Sequence, residues 1–197
     1  MNLATITKAA VSPADTAILA AQIYKEDMLT TLTFEDVSVK NFSSINNGYG
    51  GFDWSNFYVV NRSLLPASAY DNSRKEEPNV ACNAFGTTAS IKSNQAFDFQ
   101  KAYLTAAWSD NLKIIVEGLL KGKKKYCRVI TLNKKKPILF NFDFLNIDEL
   151  KFIPLNPQEE SQFALNKFIF SDIESVSDSI SSQMYRFTID RIWGFRL

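Results

Sequence analysis

Two apolar runs, Leu112 to Leu120 and Tyr126 to Leu132, stand on either side of Lys121-Gly122-Lys123-Lys124-Lys125. A glycine in a short polar break between two such runs marks a β-hairpin, because glycine takes the left-handed backbone that a tight reversal needs. An isolated hairpin is at best marginally stable in water, so a chain built on one has to supply further strands. The rest of the sequence does so. Leu32, Phe34, Val37 and Val39 alternate with polar residues and predict a first strand, and Phe52 to Val60 predicts a second. Val80 to Phe85 and Ala89 to Ile91 read as short strands and Phe97 to Trp108 as a long one. Ile138 to Phe144 alternates with Phe140, Phe142 and Phe144 on one side, and Glu149 to Ile153 and Gln162 to Phe170 follow. Asn46-Asn47-Gly48-Tyr49-Gly50-Gly51 is a turn-forming loop, and Pro66 to Pro78 is a polar surface loop.

Many short strands with almost no helix between them predict an all-β fold, an antiparallel β-sandwich of the jelly-roll, galactose-binding-like type. Sixteen phenylalanines among 197 residues suit half-buried pleated strands. The sandwich is expected over residues 31–171. Ser12-Pro13-Ala14-Asp15 opens a helix carrying Ala17, Ile18, Ala21, Tyr24 and Met28 on one stripe, which makes residues 1–30 an N-terminal helical extension. Ser171-Asp172-Ile173-Glu174 opens a second helix with Ile173, Val176, Ile180 and Met184, followed by a strand with Tyr185, Phe187 and Ile189. Residues 172–197 are therefore expected to pack on the domain or on a partner, with a homo-oligomer through the flanks as one outcome.

The composition excludes several classes of chemistry. There is no histidine, which removes histidine metal ligands, histidine general bases and serine or cysteine nucleophiles activated by histidine. A net charge of +1 gives no global field for nucleic acid. The lysine groups Lys121 to Lys125 and Lys134 to Lys136 flank one strand and sit at its opposite ends, as edge-protecting residues do. Cys82 and Cys127 allow either one disulfide or two buried thiols. No run is long enough for a transmembrane helix, and Met1 to Ala10 lacks the basic start and apolar core of a signal peptide. Paired carboxylates are the enzymatic route left open. Asp143, Asp148 and Glu149 lie close in sequence but form no specific glycosidase pair, and a non-catalytic protein is expected.

Several stretches, in order, carry a resemblance. They are Thr33-Phe34-Glu35-Asp36, Asn47 to Tyr58, Asn79-Val80-Ala81-Cys82-Asn83-Ala84-Phe85-Gly86, Phe97-Asp98-Phe99, Tyr103 to Trp108, Ile147-Asp148-Glu149-Leu150 and Phe163 to Phe168. Together, Leu32 to Phe170 resembles a family of extracellular jelly-roll domains, similar to carbohydrate-binding modules, found in secreted bacterial proteins with PEP-CTERM sorting tails and in fungal secreted proteins. The resemblance implies an extracellular, lectin-like domain whose partner is a carbohydrate or glycoconjugate. It also implies a structural calcium shared by the first and last strands.

Glu35, Asp36 and Asn166 are the candidate metal ligands, since calcium takes hard oxygens from carboxylates, amides and backbone carbonyls. Asn166 supplies a neutral oxygen, so the alternative is a site held by hydrogen bonds without a metal. Candidate ligand-binding residues are Tyr49, Trp54 and Tyr58 in the aromatic stretch, with Tyr70, Asp71 and Asn72 on the long loop. Aromatic rings stack on the C–H faces of sugars while amides and carboxylates read hydroxyls. The same rings serve equally as core. The alternative to a lectin is a protein-interaction or self-assembling structural module without a sugar site.

Overall fold

The computed structural model describes residues 12, 28–39, 42–64, 68, 78–135 and 137–172. The bodies of the N-terminal and C-terminal helices expected above fall outside these residues; Ser171 and Asp172, expected to open the second helix, instead end the last described strand, paired with Asp98 and Phe97. Among the described residues the helical elements are short 3-10 turns, and no helix is long and apolar enough to cross a membrane.

Among the described residues ten strands follow one another: β1 (Thr30–Leu32), β2 (Phe42–Ser44), β3 (Asp53–Ser55), β4 (Phe57–Asn61), β5 (Asn79–Asn83), β6 (Ala89–Ala106), β7 (Leu112–Leu120), β8 (Lys123–Leu132), β9 (Ile138–Pro154) and β10 (Phe163–Asp172). Every pairing is antiparallel. The hydrogen-bonded order is β2-β4-β5-β10-β6-β9-β7-β8, with β1 beside β10 and β3 beside β6. The two layers form one continuous sheet because β6 and β9 are long enough to serve both. The first half of β6 pairs with β3 and with the second half of β9, and its second half pairs with β10 and the first half of β9. Register shifts between Lys92 and Lys101 mark where β6 and β9 bend from one layer to the other.

The core lies between the layers. Phe57 of β4 meets Phe152 of β9 edge-on with ring centroids 5.8 Å apart, and Phe99 of β6 stacks on Phe168 of β10 at 5.1 Å. Phe34, Phe57, Phe97, Phe99, Phe152, Phe163 and Phe168 are fully buried. The phenylalanine content thus reports a packed interior.

The β7–β8 hairpin closes on Lys121 and Gly122, whose φ values of 51° and 73° give the doubly left-handed turn that matches strand twist. The strand starts earlier than expected, so Lys123 to Lys125 belong to β8. Lys125 Nζ donates to the carbonyls of Leu145 (3.1 Å) and Asn146 (2.8 Å), and Arg128 donates to that of Asn141. These side chains reach the first half of β9, which β7 does not pair: β7 meets only Glu149 to Pro154.

Two strand expectations are corrected. The first strand stops at Leu32, because Phe34 turns into the left-handed region (φ 65°). Asn79 holds that turn, donating from Nδ2 to the carbonyls of Phe34 (3.3 Å) and Val37 (3.0 Å). The second strand is interrupted by Asn56 at φ 58°. The break shifts the alternation, so Phe57 faces the core with Phe52 and Trp54, while Tyr58 faces away. Uninterrupted alternation from Phe52 would have placed Tyr58 with Trp54 and Phe57 opposite. Cys82 and Cys127 form no disulfide. Cys82 is buried, but Cys127 is exposed on β8 rather than buried.

Candidate functional site

The outward face of one layer carries a row of paired residues. Ser44 pairs with Tyr58, Tyr58 with Cys82, Cys82 with Ala164, and Ala164 with Thr105. Strands lie about 4.8 Å apart, so roughly 14 Å separates β4 from β6 along this row. The small Cys82 and Ala164 occupy its middle, with the ring of Tyr58 on one side of them. The result is an open cleft of about 440 Å³ lined by Phe42, Tyr58, Cys82, Ala84, Phe85, Trp108, Glu159, Glu160 and Gln162. Its size falls within the range of small-molecule sites.

Two turns build its rim. One is the 3-10 turn Ala84–Gly86 between β5 and β6, and the other is Glu159–Ser161 before β10. Phe85, at the tip of the first, is 67% exposed and has a left-handed backbone (φ 53°, ψ 19°). That conformation costs a bulky residue about 1–2 kcal/mol, so the surroundings must impose it. Asn56 Nδ2 donates to the Ala84 carbonyl (3.2 Å), Thr87 Oγ1 (2.8 Å) and the Thr88 carbonyl (2.9 Å). Asn83 is fully buried and joins the turns: Nδ2 donates to the carbonyls of Thr87 (2.9 Å) and Ser161 (3.4 Å), and Oδ1 accepts from Phe163 N (2.7 Å). Gly86 completes the lock. A Cβ there would lie 1.6 Å from the Gln158 carbonyl oxygen, so only glycine allows the turns to touch.

Opposite Phe85, the indole Nε1 of Trp108 donates to Gln162 Oε1 at 2.6 Å. An indole N–H can only donate, so the amide is oriented with its oxygen toward the ring and Trp108 is held in place. Glu159 and Glu160 lie beside these rings and are exposed. The arrangement offers apolar ring surface, an amide and two carboxylates.

No protein-family model matches the sequence, and no curated protein matches it. In fold, the chain is similar to the K2 cleaved adhesin domain of Lys-gingipain, at 12% identity over 73% of this chain and 99% of that domain, with a TM-score of 0.50. It is similar at a TM-score of 0.40 to the CBM22-1 xylan-binding domain from Paenibacillus barcinonensis, at 11% identity over 73% of this chain and 93% of that one. A family 51 carbohydrate-binding module from Clostridium perfringens, solved with methyl-galactose, matches at 8% identity and a TM-score of 0.34, over 72% of this chain and all of that one. What the chain shares with the adhesin domain is its fold.

Of the residues expected to bind ligand, Tyr58 is in the cleft. Trp54 is not: it is 6% exposed, packs edge-on against Phe34 and Phe57, and donates its indole N–H to the Tyr49 carbonyl (2.9 Å). This places Trp54 in the core and corrects its reading as a sugar platform. Tyr49 lies half-buried on the same cluster, stacked on Phe34, and its hydroxyl donates to Asp36 Oδ1 at 2.7 Å. Burial, with the bond to Asp36 acting in the same direction, pushes the Tyr49 phenol well above its ordinary range. Tyr70, Asp71 and Asn72 fall outside the described residues.

The candidate metal ligands separate. Asp36 is exposed and engaged by Tyr49. Glu35 Oε1 accepts from Asn79 N (3.1 Å) at the start of β5. Asn166 lies one residue beyond the Leu165–Ala81 pair, inside the bulge between Leu165 and Lys167, so it too is beside the start of β5. It is 3% exposed, and both its Oδ1 and Nδ2 are buried without a hydrogen-bond partner. An orphaned amide oxygen suits a bound cation, whereas the orphaned Nδ2 does not. No group of three acidic or cysteine side chains among the described residues is arranged to hold a metal.

Phe85, Trp108, Gln162 and the two glutamates were not among the expected site residues. One signal was available for Phe85: an aromatic residue directly before a glycine, in a break between two strands.

Proposed function

We propose that the chain is a non-catalytic, lectin-like carbohydrate-binding domain, and that the cleft between Tyr58, Phe85 and Trp108 holds the sugar. The observation that carries this reading is Phe85. A large apolar side chain is held out in water on a strained backbone by a dedicated network of asparagines, at the rim of a cleft that other aromatic rings line. Strain kept at an exposed aromatic residue points to recognition rather than packing. Pyranose rings suit such a site because their C–H faces stack on aromatic carbon, while the carboxylates and the Gln162 amide read hydroxyls. Extracellular work as a member of the secreted jelly-roll family belongs to the same proposal.

The test is a glycan array followed by titration calorimetry on the wild type and on Phe85→Ala. The substitution removes mostly exposed area, so the melting temperature should hold within a few degrees while sugar affinity falls at least tenfold. Absence of any glycan bound by the wild type would overturn the reading and favour the alternative, an interaction or self-assembling module.

We also propose that a structural calcium is held by Asn166 Oδ1 together with Glu35, without Asp36. The orphaned Asn166 oxygen supports it. Saturating calcium should then raise the melting temperature relative to a chelator by mass action, and the rise should be lost in Asn166→Leu. An unchanged transition in the wild type removes the metal.

A further inference from the structure

The cleft is acidic. Among the described residues, Glu159 and Glu160 both line it, no lysine or arginine does, and no ion pair involves either glutamate. This local sign stands against a chain whose net charge is +1. The chain has 22 basic side chains; among the described ones Lys124 binds Glu117, Lys151 binds Glu149, and Lys125 and Arg128 reach backbone carbonyls of β9, while Lys113, in the adjoining opening that Glu160 also lines, forms no ion pair with it. The carboxylates beside the rings are left without a cation of their own.

Aromatic faces and unpaired carboxylates around one opening attract the same kind of group. Ring faces carry negative quadrupole potential and bind ammonium ions, and a carboxylate adds direct charge attraction. Phe42, Tyr58, Phe85 and Trp108 supply the rings. A neutral hexose uses the ring surface but leaves the charge of Glu159 and Glu160 unmatched. A uronic or sialic acid would bring a carboxylate against two others. We infer that the cleft of Phe85, Trp108, Glu159 and Glu160 selects glycans that carry a protonated amine, that is, free amino sugars. This rests on the carbohydrate reading above and narrows it.

The neighbouring cleft continues the site. About 370 Å³ in volume, it is lined by Asp110, Asn111, Lys113, Asn156, Gln158 and Glu160 among others. It shares Glu160 with the aromatic cleft and begins at Ser109, the residue after Trp108. A side chain common to both openings lets one oligosaccharide occupy both, with its amine beside Glu160.

The experiment compares fully deacetylated glucosamine hexamer with the N-acetylglucosamine hexamer by calorimetry at about pH 6, below the ordinary amine range. The wild type should bind the free amine at least tenfold more tightly, and raising the salt to about 0.5 M should narrow the gap. Glu159→Gln with Glu160→Gln should bring the two affinities within about threefold of each other while leaving the melting temperature unchanged, since both side chains are exposed. Phe85→Ala should weaken both ligands. Equal or tighter binding of the acetylated hexamer overturns the inference and leaves the carbohydrate reading standing. So does a preference for the amine that survives the double substitution. If array and calorimetry show no glycan bound at all, the carbohydrate reading fails and takes the inference with it.

Discussion

Two aromatic groups, one compact in sequence and one scattered, end in opposite environments. Tyr49, Phe52 and Trp54 pack with Phe34, Phe97, Phe168 and Phe170 into one cluster, mostly edge to face. Tyr58, Phe85, Trp108 and Phe42 face an opening. The first group is dense in sequence, which made it the expected ligand platform. The second is scattered over four parts of the chain and converges only through strand pairing. Density along the chain reports packing here, because consecutive alternating aromatics fill one face of one strand. Recognition is assembled from the ends of separate strands and the turns between them.

The comparison breaks if the two groups respond alike to truncation. Trp54→Ala should destabilise the domain by about 3–5 kcal/mol, as loss of a large buried aromatic does, measured by urea denaturation. Trp108→Ala removes a half-buried ring from the cleft and should instead cost about 2 kcal/mol of ligand binding, with a smaller loss of stability. A Trp108→Ala protein that unfolds as readily as Trp54→Ala would make both groups core.

Gly86 sharpens the contrast. A methyl group there meets the Gln158 backbone and sits at φ 63°. Gly86→Ala should cost about 2–3 kcal/mol, from left-handed strain and overpacking together, and should weaken binding as well, because the two rim turns must part. Retained affinity in a destabilised protein would show that the turns do not shape the site.

The smallest effect belongs to the buried group. In Tyr49→Phe the bond to Asp36 is lost, at about 0.5–1.5 kcal/mol. The folded state holds the Tyr49 proton more tightly than the unfolded chain does, whose phenol titrates near 10. The native state therefore keeps the proton above that pH while the unfolded state loses it, and stability falls as pH rises beyond 10. Wild type should lose melting temperature faster than Tyr49→Phe between pH 10 and 11. Parallel curves would mean that Tyr49 titrates as it does in the unfolded chain.

Local chemistry made part of this fold legible and concealed the rest. The β7–β8 hairpin was readable because Lys121-Gly122 carries its own turn geometry. The Phe140, Phe142 and Phe144 stripe was readable because its rings keep to one face even though Asp143 between them is left-handed. The Asn56 kink was not, because a left-handed asparagine inside an apolar run looks like any polar position, yet it reverses which face Tyr58 takes. Trp108 read as the end of a strand; it follows β6 and lines the same cleft as Tyr58, a convergence that only the pairing of β4, β5, β10 and β6 brings about. Asn166 was expected as a ligand and is found inside a bulge. A bulge depends on the neighbouring strand, so one strand's sequence does not announce it.

The lysine-rich hairpin has a consequence beyond this chain's own stability. The first half of β9 would otherwise present free carbonyls to any passing extended peptide, an invitation to templated growth. Lys125 and Arg128 already occupy the carbonyls of Asn141, Leu145 and Asn146. Left-handed Asp143 and Asn146 also put the edge out of step with a regular incoming strand. What looks like a solubilising run of lysines is thus also a seal, which closes this stretch of β9 to a further strand.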